Sequence, residues 1–189
     1  MKKNIILSLF IFLLIIFYTF KNSSFLIRYL SAIGFIIIFV ILDLNFKIGF
    51  KKRHYLFIII ISITSFLLSS MYFLYPQYDK FQHLIQPILF SSIIFFMISK
   101  LNLELKWKLT FTFFIMVGLL SIFELGEYIL DYFFNLKLQG VFLRNLQGLE
   151  KYNILMDRND DTMTDLGLGI ISSLIYVIIG LIFRKKETL

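Results

Sequence analysis

Apolar residues run in long blocks along this chain, with polar residues confined to the breaks between blocks. Six blocks approach the length of a membrane crossing: 4–20, 25–44, 55–74, 81–99, 109–130 and 166–183. A helix needs about 20 apolar residues to cross roughly 30 Å of hydrocarbon. Strands of a membrane barrel would instead alternate over about ten residues, and no such segments occur. The pattern predicts an all-α, polytopic membrane helix bundle of about six transmembrane helices in a single membrane domain. The connections are too short for a folded extramembrane domain, except for the fifth, from about Asp131 to Thr164. Its stretch from Gln139 to Gly148 mixes apolar and polar residues, which suits an interfacial segment or one folding back towards the bundle.

Composition agrees with the pattern. Of 189 residues, 59% are hydrophobic and 16% charged, against about 45–50% and about 25% in soluble domains. A net charge of +7 raises the question of nucleic acid, but the basic residues sit at the ends of apolar blocks and form no stripe, so nucleic-acid binding is not expected. The absence of cysteine removes disulfides, thiolate nucleophiles and sulfur-ligated metals. The start, Met1-Lys2-Lys3 and an apolar run, has no small-residue cleavage site after it and reads as a retained first span.

With the N-terminus inside, alternate connections place twelve of the 19 Lys and Arg on the inner side and seven on the outer. The positive-inside rule then puts both termini in the cytoplasm of a multi-pass cell-membrane protein. Arg28, near the outer end of the second block, is placed to snorkel to the headgroups. His54, in a basic inner connection, reads as solvated.

Charged residues inside or beside the spans are costly, roughly 2.5–3.5 kcal/mol each at mid-membrane, and three groups stand out. Asp79, His83 and Gln86 share a helix face at the start of the fourth span, with Lys80 beside them and Pro87 following. Pro87 supplies no N–H to the carbonyl of His83 and is expected to kink the helix. Glu124, Glu127 and Asp131 share a face at the end of the fifth span. Asp160, Asp161, Thr164 and Asp165 lead into the sixth, where Asp160 and Asp161 also suit outer-loop charges or helix caps. In a six-span topology all three groups lie at the outer face, so they predict an acidic pocket opening outward. Gly167, Gly169 and Ser173 read as close helix packing, with Gly169 and Ser173 as a small-residue contact.

The same residues resemble the VanZ-like membrane proteins, and more closely their YjdF-type relatives. The matching positions are Asp79, Lys80 and His83; Glu124 and Glu127; and Asp161, Thr162, Met163 and Asp165, within about 76–180. VanZ-like proteins tend to carry Gln where this chain has Glu127 and Asn where it has Asp165. Residues 1–75 contribute generic spans, and 76–183 form the core to which the resemblance applies. It implies action on lipid-linked phosphates or headgroups in the outer leaflet, with membrane lipids as partners.

The leading expectation is therefore a hydrolase or headgroup transferase acting on a lipid phosphate. His83 is its general base or nucleophile, Glu124, Glu127 and Asp165 orient it or bind a metal, and Asp79 belongs to the same catalytic group. Lys80, Arg144 or Asp161 meets the substrate. Oxygen ligands with one histidine suit Mg²⁺ or Mn²⁺ better than zinc. A proton- or ion-coupled carrier using the same carboxylates, or a non-catalytic structural or stress-associated membrane protein, are the alternatives. The topology has a direct test, since any introduced cysteine is unique. A reagent confined to the outside is expected to label a cysteine at position 145 and to spare one at position 52; the reverse pattern inverts the orientation.

Overall fold

The computed structural model describes residues 23–134, 138–144 and 152–184. The block at 4–20 lies outside the described residues. The chain divides into two compact units, Met1–Ser70 and Met71–Leu189.

In the first unit, helix α1 (Ser23–Asn45) packs against helix α2 (Lys52–Ser62) and the π-helical turn Ile63–Leu67 that follows. The buried Ser62 hydroxyl donates to the Ala32 carbonyl at 3.0 Å and fixes the approach of α2 to α1. The link between the helices is tied to one side chain. Asp43 Oδ1 accepts the backbone N–H groups of Gly49 (2.6 Å) and Phe50 (3.0 Å), and its Oδ2 accepts the Tyr55 hydroxyl. Gly49 has φ +68°, a conformation costly for a residue with a Cβ.

The block at 55–74, read as one continuous span, is not one α-helix. It passes from α-helix to π-helix at Ile63 and to a 3₁₀ turn over Ser69–Phe73. Hydroxyls in this block compete for backbone acceptors: Thr64 Oγ1 donates to the carbonyls of Ile60 and Ile61, and Ser69 Oγ to that of Phe66. His54 also departs from the sequence reading. It is fully buried, its Nδ1 accepts the Lys51 N–H at 3.2 Å, and its ring packs edge-on against Phe50.

The second unit is built on three long helices, α3 (Gln77–Ile98), α4 (Leu105–Phe134) and α5 (Arg158–Arg184), which all pack on one another. At 1.5 Å per residue they are about 33, 45 and 40 Å long. With α1, four described helices are long and apolar enough to cross a membrane. Their outward faces carry large apolar side chains such as Phe114, Ile122, Ile178 and Phe183, as expected where lipid replaces water as the surrounding medium. Ile94, Ile98, Met116 and Leu120 form the inner contact, flanked by Phe90 and Leu166. α3 continues as a helix through Pro87.

The long connection between α4 and α5 folds back, as one of its two sequence readings had it. Strand β1 (Val141–Arg144) pairs antiparallel with β2 (Tyr152–Met156), with a register shift between Val141 and Phe142. Asp131, on the last turn of α4, accepts the N–H groups of Leu138 (2.8 Å) and Gln139 (3.0 Å) and so sets the direction of the returning chain.

Gly169 decides how close α5 comes to α4. A Cβ built there would lie 2.5 Å from Leu120 Cδ1 and 3.2 Å from Cγ, whereas one at Gly167 would meet nothing within 4 Å. Overpacking of this kind costs about 1–3 kcal/mol. Gly169→Val is therefore expected to lower the melting temperature of the purified protein in detergent, and Gly167→Ala to leave it unchanged or raised.

A second expectation concerns His54, whose pKa is lowered from 6.5 to about 4 by burial and by the nearby charges of Arg53 and Lys51. An opened chain takes up a proton below pH 6.5 that the closed one refuses until about pH 4. Stability of this link is thus full above pH 6.5 and lost as pH falls towards 4. Amide exchange at Gly49 and Phe50, corrected for intrinsic rate, should speed up between pH 7 and pH 5, and His54→Asn should flatten that dependence.

Candidate functional site

Three helix ends of the second unit bring the charged residues together, and Lys80 on the first turn of α3 is the centre of their contacts. Its ammonium bonds Asp165 at both oxygens (2.8 and 2.9 Å), Asp161 Oδ1, and Asp79 Oδ2 at 3.3 Å. Asp161 and Asp165 are each 2% exposed, and they lie one turn apart on α5 because four residues bring side chains to one helix face. Their second ties differ. Asp161 Oδ2 accepts the Gly140 N–H at 2.7 Å, locking the hairpin to the start of α5, where Gln139 Nε2 also donates to Thr162 Oγ1 at 2.9 Å.

His83, one turn along α3, sits inside a ring of carboxylates contributed by all three helices. Its Nε2 lies 3.6 Å from Asp79 Oδ1 and 4.0 Å from Asp165 Oδ2, and its Nδ1 lies 3.9 Å from Glu124 Oε1. Each of these distances exceeds a hydrogen bond. Glu124 is 4% exposed, and neither of its oxygens has a partner at hydrogen-bond geometry, the Thr162 hydroxyl being near enough to interact without completing a bond. Glu127, one turn further along α4, is half-buried and within electrostatic range of Glu124, Asp79, Asp161 and Asp165.

Of the residues expected to converge, Asp79, Glu124 and Asp165 lie within 4.0 Å of His83, and Glu127 is one turn along α4 from Glu124. Lys80 and Asp161, expected to meet a substrate, are engaged with one another, and all three ammonium donors face carboxylates. Arg144 ends β1, and its side chain lies outside the described residues. Asp131 shares the helix face of Glu124 but is consumed by backbone N–H groups. Asp160 is exposed, and its N–H bonds Asp157 Oδ1 at 2.9 Å, so Asp157, and neither Asp160 nor Asp161, caps α5.

Sequence reasoning missed a neutral layer beside the charges. Gln82 is buried and its Oε1 accepts both the Tyr72 hydroxyl (2.7 Å) and Gln86 Nε2 (2.8 Å). Tyr72 belongs to an apolar block with no helical register in common with α3, so its role had no signal. Gln82 was visible as a polar residue inside a span.

A family model described as "Predicted membrane protein (DUF2238)" matches residues 3–186. The chain belongs to the DUF2238 family. The match takes in all three helices of the charged cluster and both compact units, and it agrees with the apolar helices in making this a membrane protein. No curated protein and no solved structure matches this DUF2238 chain significantly.

Proposed function

We propose that this DUF2238 protein is a multi-pass cell-membrane enzyme that hydrolyses or transfers the phosphate-bearing headgroup of a membrane lipid at the outer leaflet. The reading includes six spans with both termini cytoplasmic, which rests on the block lengths and the Lys/Arg asymmetry. The observation that carries it is the buried carboxylate–histidine–lysine cluster itself. Helix packing alone does not require Glu124, Asp161, Asp165, Lys80 and His83 at one end of an apolar bundle, where each charge is costly. Perturbed, mutually facing ionisable groups of this kind gather at sites of chemistry. The resemblance of Asp79, Lys80, His83, Glu124, Glu127 and Asp165 to VanZ-like and YjdF-type proteins supports the choice of lipid phosphate as substrate.

Among the carboxylates of α4, Glu127 is the more open, which suits it to receive a proton from water. In hydrolysis the water oxygen forms a bond to phosphorus while its proton passes to Glu127. The phosphorus–oxygen bond to the leaving group breaks, and the leaving oxygen takes the proton from Glu127. Headgroup transfer follows the same course with a lipid or sugar hydroxyl in place of water. Lys80 acts as a positioning residue, holding Asp79, Asp161 and Asp165 in register.

Loss of a proton-transfer group lowers a rate by about 10²–10⁴. Purified protein in vesicles of anionic phospholipid and polyprenyl phosphate is expected to release phosphate or exchange headgroups. Glu127→Gln should reduce that rate by about this factor. Ser121→Ala, at an exposed hydroxyl that bonds only its own helix backbone, should not. If the folded wild-type protein leaves every lipid unchanged while Glu127→Gln alters proton flux into the vesicles, the carrier reading replaces this one.

A further inference from the structure

We infer that Asp79, His83 and Asp165 form a binding site for a divalent cation of the Mn²⁺/Mg²⁺ type, with Glu124 as the carboxylate that orients the histidine. The inference goes beyond the lipid-phosphate reading and stands without it, because it concerns what occupies the centre of the cluster whatever is transformed there.

The first argument is geometric. One oxygen of Asp79, one of Asp165 and a ring nitrogen of His83 lie within 4.8 Å of one another. A cation held at about 2.1 Å places its ligands roughly 3–4 Å apart, and the separations from His83 Nε2 are 3.6 and 4.0 Å. Lys80 holds Asp79 Oδ2 and both oxygens of Asp165, and the oxygens nearest the imidazole are Asp79 Oδ1 and Asp165 Oδ2. Asp79 Oδ1 is left free by Lys80, and Asp165 Oδ2, which also accepts from Lys80 at 2.9 Å, keeps a second lone pair for the same point.

The second argument concerns Nε2. A neutral imidazole carries one N–H, and a protonated one carries one on each nitrogen. Two carboxylates converge on Nε2, and a single proton there can serve only one of them. A cation bonded to the nitrogen lone pair serves both.

The third observation is independent and comes from another helix. Glu124 is nine-tenths buried, unpartnered at both oxygens, and faces Nδ1 of the same ring at 3.9 Å. Histidines that ligate a metal through one nitrogen donate the other N–H to a carboxylate or carbonyl, which fixes the ring and raises its basicity. A small closure brings Glu124 into that bond and removes its orphaned state.

Charge points the same way. Asp79, Asp161, Asp165, Glu124 and Glu127 gather here, and Lys80 contacts the three aspartates only. A divalent ion brings the cluster nearer to neutrality in a medium that solvates charge poorly. Two carboxylates with one imidazole favour Mn²⁺ or Mg²⁺ over softer metals. If the lipid-phosphate reading holds, the cation also supplies the positive charge for phosphate oxygens that Lys80, with its donors engaged, does not.

The test uses full-length protein in detergent, stripped with chelator and titrated with Mn²⁺ alone, free Mn²⁺ being followed by electron paramagnetic resonance. One Mn²⁺ per chain is expected, with nitrogen coupling from a bound imidazole in the pulsed spectrum. Glu124→Gln should retain that coupling and bind about 10–100-fold more weakly. Asp165→Asn should abolish saturable binding, and Asp160→Asn, at an exposed position, should bind like the wild type. Folded wild-type protein that takes up no Mn²⁺, or a bound ion without nitrogen coupling, overturns the site. So does equal affinity in Asp165→Asn and Asp160→Asn. None of these readings uses a lipid, so failure of the metal site leaves lipid turnover to be judged separately, and absence of turnover leaves the metal site standing.

Discussion

The Lys80 ammonium is the interaction on which the charged end of the bundle depends. It is one positive charge, 13% exposed, with carboxylates from its own helix and from α5 around it. In a low-dielectric setting these ion pairs gain strength from the absence of water, and breaking one side leaves the other charge uncompensated. Three consequences follow from the placement of this one group. α3 and α5 are fixed in rotation about their axes. Asp161 is held where its other oxygen can accept the Gly140 N–H, so the hairpin is anchored to the same centre. Asp79 and Asp165 are each left with one oxygen turned to His83.

That arrangement separates two kinds of acidic residue that look alike in isolation. Asp43, Asp131 and Asp161 spend oxygens on backbone N–H groups of a neighbouring turn, and their work is to define the path of the chain. Glu124 has no such partner, and Asp79 and Asp165 share Lys80 while each turns an oxygen towards His83. Buried polar groups are normally paired, and these oxygens surround a single imidazole. The distinction lies in hydrogen-bond accounting, since Asp131 and Glu124 are equally buried and occupy one face of one helix.

The helices supply the rigidity such a site needs. Gly169 lets α5 approach Leu120 of α4 closely, and Gly180 likewise meets Leu109 further along. The buried Ser173 hydroxyl turns back onto the Gly169 carbonyl at 2.8 Å, leaving no polar group exposed at the contact. Small residues at a helix interface are the expected means of association where apolar burial offers no advantage over lipid.

What the sequence by itself determined was the medium and the convergence. The run lengths and charge distribution are local properties, so the membrane assignment, apolar spans at 81–99, 109–130 and 166–183 within the three long helices, and the gathering of Asp79, Glu124 and Asp165 were legible from spacing. The Gly169–Ser173 contact was legible for the same reason. Tertiary structure decided which partner each charge takes. Lys80 was expected to meet a substrate and proves to be bound among three aspartates, because its reach to α5 depends on helix rotation that no spacing encodes. His54 was read as solvated and is buried, since the fold of the link between α1 and α2 is set by Asp43, several residues away. The break at Ile63 came from hydroxyls competing for carbonyls, a balance too close for apolar content to reveal. A hydrophobic pattern specifies which faces turn inward, but hydrogen bonds between those faces depend on distances that only the packed helices define.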